Sequence, residues 1–126
     1  MKLEHLGITI DNVNEVTNFY ENIFKMNKVR SFELNSNLAE KIFNISQSVE
    51  VYLMQNDYIT IELFIHKEMK KPSFDHFCLS FDDRQNVVKQ AMKNGYKVII
   101  KKRKNSDLIF IKDNTGNIFE IKESKW

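Results

Sequence analysis

The chain has 126 residues, of which 42% are hydrophobic and 29% charged, so it can bury a core of ordinary size and is neither disordered nor low in complexity. A formal charge of +2 is too small to argue for a nucleic-acid partner, and one cysteine, Cys78, excludes an intrachain disulfide framework. No stretch has the length of a membrane span and the N-terminus does not look like a signal peptide, so a cytoplasmic setting without membrane contact is expected.

Lys2 to Ile10 alternates. Leu6, Ile8 and Ile10 share a face suited to a helix, while Leu3, His5, Gly7 and Thr9 share a smaller, more polar face suited to a cavity. Asn12 and Glu15 fit a capping box, and Val16, Phe19, Tyr20, Ile23 and Phe24 recur at helical spacing, which predicts a helix over 13–25. Strands are expected over 28–34, 49–55 and 59–66, with a short helix over 38–45. In the last strand Thr60, Glu62, Phe64 and His66 share one face, and His66 reads as a surface residue. Residues 67–73 are polar, hold the only proline and form the expected linker between a module at 1–66 and another at 74–126.

The second module repeats the first. Leu3-Glu4-His5-Leu6-Gly7-Ile8-Thr9-Ile10-Asp11-Asn12 slides onto Phe74-Asp75-His76-Phe77-Cys78-Leu79-Ser80-Phe81-Asp82-Asp83, with His5 on His76, Ile10 on Phe81 and Asn12 on Asp83. Asp82 or Asp83 should cap a helix carrying Val87, Val88, Ala91 and Met92, stopped at Gly95. Strands follow over 96–101, 107–112 and 117–122, the last two joined by a turn at 113–117. Cys78, inside an apolar strand, reads as a buried and inert thiol. Each module is β-α-β-β-β and too small to be stable alone. The expected fold is α+β: two βαβββ modules in pseudo-twofold arrangement, forming a curved mixed sheet around a cup-shaped site.

Each module opens with a histidine strand and closes with a glutamate strand. His5, Glu62, His76 and Glu120 are therefore the candidate metal ligands, with Glu120 and Glu62 as candidate catalytic carboxylates. Two imidazoles and two carboxylates suit one divalent ion per site, Ni, Zn, Co, Mn or Fe, with room left for substrate oxygen. Such an ion would polarise a carbonyl and stabilise an enediolate, while a carboxylate moved a proton on the adjacent carbon. Lys101-Lys102-Arg103-Lys104 reads as a solvated strand end or, alternatively, a rim for an anionic substrate. Tyr20, Tyr52, Tyr58, Tyr96, Phe64 and Trp126 are candidate pocket walls, although most of them are expected to be core or edge packing.

The opening His5-Leu6-Gly7-Ile8 with Asn18-Phe19-Tyr20-Glu21, and the ending Phe110 through Ile121, resemble the vicinal oxygen chelate superfamily, which holds glyoxalase I, methylmalonyl-CoA epimerase, fosfomycin-resistance proteins, extradiol dioxygenases and bleomycin-binding proteins. The likeness covers essentially the whole chain. It implies metal ligands from the first and last strands of each module, the places filled here by His5, Glu62, His76 and Glu120. That set looks most like bacterial glyoxalase I, a lyase or isomerase in which the last glutamate, here Glu120, is a proposed base. Thr9 stands where that type tends to carry an arginine for the glutathione carboxylate, which leaves the thiol open. The resemblance thus implies a homodimeric, metal-dependent enzyme acting on a small carbonyl compound through a metal-bound enediolate. The alternatives are an acyl-CoA epimerase, or a metal-free binding protein of the bleomycin-resistance type.

Overall fold

The computed structural model describes residues 1–68 and 70–125. The chain divides into two compact units, Met1–Glu68 and Met69–Trp126. Met69 of the expected linker and Trp126 lie outside the described residues.

The first unit contains β1 (Leu6–Ile10), a helical turn (Val16–Glu21), β2 (Asn27–Leu34), α1 (Ser36–Phe43), β3 (Val49–Gln55) and β4 (Thr60–Ile65). The strands form one mixed sheet in the order β1-β4-β3-β2, in which β1 runs parallel to β4 and the other pairs are antiparallel. Alternation does what the sequence predicts: Ile8, Ile10, Ile61 and Leu63 are buried, while Gly7 and Thr9 are exposed on the opposite face. The strand is shorter than expected. β1 has a single neighbour, and pairing begins at Leu6↔Ile61, so the residues before Leu6 have no ladder to join and are exposed.

The predicted first helix is real but wider than an α-helix. Asn22 N–H donates to Thr17 O at 3.0 Å and Phe24 N–H to Phe19 O at 3.1 Å, both five residues back. This π geometry brings Phe24 round beneath Phe19, and their rings meet edge to face at 4.7 Å, with Tyr20 at 5.0 Å from Phe19. Phe19, Tyr20 and Ile23 are essentially inaccessible to solvent. As expected, Asn12 accepts from a first-turn amide: its Oδ1 takes the Asn14 N–H at 2.8 Å, and the wide turn begins at Glu15, whose own side chain does not cap it.

α1 starts where Asn35 Oδ1 accepts from Leu38 N–H at 2.9 Å and stops at Asn44, whose left-handed backbone (φ 60°) ends the helix.

The second unit contains β5 (Phe77–Phe81), α2 (Arg84–Lys93), β6 (Lys97–Lys101), β7 (Leu108–Lys112) and β8 (Ile118–Glu123), in sheet order β5-β8-β7-β6. β5 is parallel to β8; β7 is antiparallel to both β6 and β8. Asp83, rather than Asp82, caps α2 by accepting from Asn86 N–H at 3.1 Å, and Gly95 follows its end at φ +80°. Val87, Val88 and Ala91 are buried; Met92, expected among them, is exposed.

The β7–β8 turn is built on buried Asp113. Its Oδ1 accepts from the amides of Thr115, Gly116 and Asn117, and its Oδ2 from the Asn117 side chain. Both units are thus βαβββ modules with one mixed four-stranded sheet each.

Candidate metal centre

His5 stands immediately before β1, two residues ahead of Gly7, which pairs with Glu62 on β4. His76 stands immediately before β5, two residues ahead of Cys78, which pairs with Glu120 on β8. The offset between histidine and carboxylate is therefore identical in the two modules. Residues two apart on a strand share a face, so each imidazole leans toward its own module's glutamate.

In the first module His5 Nε2 lies 2.9 Å from Glu62 Oε1, a hydrogen bond in which the imidazole donates. In the second, His76 Nε2 lies 4.0 Å from Glu120 Oε1, beyond hydrogen-bond reach. His76 Nδ1 is 2.8 Å from the Phe74 carbonyl, which can only accept, so Nδ1 donates, and the tautomer that this bond selects carries its lone pair on Nε2. A lone pair does not bond a carboxylate, but it is the form in which an imidazole binds a metal. Both glutamates are 18% exposed, enough for a ligand to reach them. Glu120 Oε2 also lies 3.9 Å from Lys122 Nζ, and the His76 ring meets Phe110 edge to face at 5.9 Å.

Each module's pair offers one imidazole and one carboxylate, the donor types a divalent ion accepts. Each module supplies one His–Glu pair, and among the described residues no three His, Cys, Asp or Glu side chains stand together as a metal group.

Three other sequence readings change. Cys78 is exposed, not buried: it falls on the same strand face as His76, although its sequence neighbours Phe77 and Leu79 are apolar. Partial burial of the sulfur and then the Glu120 charge push its thiol up, with Lys122 pulling weakly the other way, so the protonated, inert form still dominates at neutral pH. His66 is not simply a surface residue; it lines a cavity with Phe64, and its Nε2 donates to Glu68 Oε2 at 3.1 Å. In the basic run, Lys102 Nζ binds Asp107 Oδ2 at 3.0 Å, the Arg103 amide donates to Asp107 Oδ1, and Arg103 Nε donates to Ser106 O. The Lys102 ammonium holds the Asp107 carboxyl below the usual carboxylate range. Two of the four cations are thereby spent on their own loop. Of the aromatic candidates, Tyr20 and Tyr96 are core residues, Tyr58 is exposed, and Phe64 lines the cavity. Among the described residues no helix is long and apolar enough to cross a membrane.

The family model of the Glyoxalase/Bleomycin resistance protein/Dioxygenase superfamily matches residues 4–111. No protein of curated function matches the chain in sequence. Among solved structures, the fosfomycin resistance protein FosX from Listeria monocytogenes is similar at TM-score 0.76 and 13% identity, over 99% of this chain and 94% of that one. A glyoxalase family protein from Bacillus cereus is similar at TM-score 0.75 and 16% identity, over 98% and 93%. A mutant of the Listeria FosX, similar at TM-score 0.75 and 15% identity over 96% and 90%, is complexed with Mn(II) and 1S,2S-dihydroxypropylphosphonic acid. At these identities the likeness is one of fold.

Proposed function

The chain belongs to the Glyoxalase/Bleomycin resistance protein/Dioxygenase superfamily, and from that premise we propose that it is a metal-dependent enzyme of glyoxalase I-like type, a lyase or isomerase acting on a small carbonyl substrate. The observation that carries this reading is the repeated register: histidine two residues before the strand partner of a glutamate, once in each module. His5, Glu62, His76 and Glu120 would hold one divalent ion of the Ni, Zn, Co, Mn or Fe group, in a homodimer. When bound, such an ion supplies Lewis acidity toward a carbonyl oxygen. Mn(II) in the related FosX complex is consistent with that group.

The side chains divide the remaining work. Glu120 has its nearest cationic and imidazole partners at 3.9 and 4.0 Å and so is free to take or return a proton at the carbon beside the carbonyl. Glu62 is fixed by His5 at 2.9 Å and serves as its positioned counterpart. Phe110 packs edge to face beside His76 and limits the ring's movement on that side.

A second reading has its own support. The His5–Glu62 hydrogen bond gives each group a partner without an ion, which suits a metal-free binding protein of the bleomycin-resistance type. Metal analysis separates the two. Protein purified without chelator or nickel affinity should carry about one divalent ion per site, lost in His76→Ala and Glu120→Ala. A parent protein that takes up none of Ni²⁺, Zn²⁺, Co²⁺ or Mn²⁺ would refute the enzyme mechanism and leave the binding protein.

A further inference from the structure

The first module contains a cavity of about 290 Å³ to which no role is assigned above. Its floor continues the sheet face that carries the His5–Glu62 pair. Gly7 and Thr9 follow His5, and Phe64 and His66 follow Glu62, at alternate positions on adjacent parallel strands. Its other wall is α1 and the chain just beyond it, through Ala39 and Phe43.

Three observations define what it would take. The walls are largely hydrocarbon, and no lysine or arginine lines them among the described residues, so a small anion finds no counter-charge. Phe43 and Phe64 meet edge to face at 5.4 Å and 65°, an arrangement that a third ring can extend. A cavity of roughly 150 Å³ accommodates benzene, so this one has room for a ring and a substituent. The polar groups are few: Thr9, Gln47 and His66, the last held by Glu68. They fit one neutral hydrogen-bonding substituent. Gly7 is part of the design. A Cβ there would sit 3.3 Å from Phe64 Cε2, so a side chain would press the ring into the cavity.

We propose that this cavity binds an aryl group carrying one neutral hydrogen-bonding substituent, and that the substrate of the reaction proposed above is accordingly an aryl-substituted carbonyl compound, its ring in the cavity and its carbonyl toward His5 and Glu62. Only the second half rests on the enzyme reading. The ring site needs no ion.

The test is therefore made on the full chain stripped of metal. Isotope-labelled protein is titrated with p-cresol and, separately, with methylphosphonate, and the amide signals are followed by NMR. p-Cresol is expected to move the signals of Gly7, Ala39, Phe43 and Phe64 in a saturable way, and methylphosphonate to leave them in place. Thr9→Phe, which puts a ring into the cavity from the exposed strand face, should weaken p-cresol at least about tenfold. Ala39→Leu fills the space from the helix side and should act alike. Shifts that are absent, that fall on other residues, or that survive both substitutions overturn the ring site. Ring binding without any metal uptake would sink the enzyme reading while leaving the cavity site standing. Metal uptake without ring binding would do the reverse.

Discussion

The two modules place histidine and glutamate in the same register and then wire them differently. In the first, His5 spends its Nε2 proton on Glu62 at 2.9 Å; in the second, the Phe74 carbonyl fixes the proton on Nδ1 and leaves Nε2 bare, 4.0 Å from Glu120. The sheet faces differ too. α1 roofs the first module over an apolar cavity, whereas β6 and β7 are joined by a loop tied to Asp107, and Cys78 is left exposed beside Glu120. Register decides where a side chain can reach. The hydrogen bond one turn of chain away decides which chemistry it brings.

The largest test of this asymmetry is a pair of isosteric substitutions. Glu120→Gln should lower turnover by about a hundred- to ten-thousandfold, the usual worth of a positioned base. Glu62→Gln keeps an oxygen for His5 to donate to and should cost about tenfold or less in the same assay. Equal losses would mean that the two carboxylates are interchangeable and that the wiring described here does not matter.

The packing differs between modules as well. Phe19→Ala empties the aromatic cluster under the wide turn and should destabilise by about 3–5 kcal/mol in urea unfolding. Val88→Ala on α2 removes much less buried hydrocarbon and should cost about 1.5 kcal/mol. Comparable values would show that the π turn adds nothing to the first module's core.

The smallest effect is read at Cys78, which stands where the first module has Gly7. Glu120 raises the thiol's pKa, so Glu120→Gln should lower it, increase the thiolate fraction at neutral pH and speed alkylation by iodoacetamide. Removing Lys122 as Lys122→Met acts in the opposite sense and should slow it. No change in either variant would place Cys78 outside the electrostatic reach of the Glu120 carboxylate.

Much of this was legible in the sequence because strand faces follow a period of two. Leu6, Ile8 and Ile10 against His5, Gly7 and Thr9 could be separated on alternation alone, and so could Glu62 from Ile61 and Leu63. Cys78 shows the limit of judging by neighbours: Phe77 and Leu79 suggested burial, while its parity with His76 put it outside. The π turn was not legible, since Val16, Phe19, Tyr20, Ile23 and Phe24 fit a helix of either width. The cavity was legible in part: Gly7, Thr9 and Phe64 were read as facing one, whereas its other wall depends on how α1 packs. The hydrogen bond from His76 to Phe74 was equally hidden, because it involves a backbone oxygen that any residue would carry.

The parallel pairing of β1 with β4, and of β5 with β8, also bears on the order in which each module can fold. β3 and β4 are antiparallel neighbours linked through a short connection, as are β6, β7 and β8, while β2 reaches β3 across α1, and all of these contacts span less chain than the parallel pairing. The parallel strand closes the longest loop of its module, longer for Leu6↔Ile61 than for Phe77↔Phe119. It should therefore dock last. Since His5 and His76 sit at the leading ends of those strands, a nascent module would present its glutamate before its histidine, and a metal ion met too early would find only half of each pair.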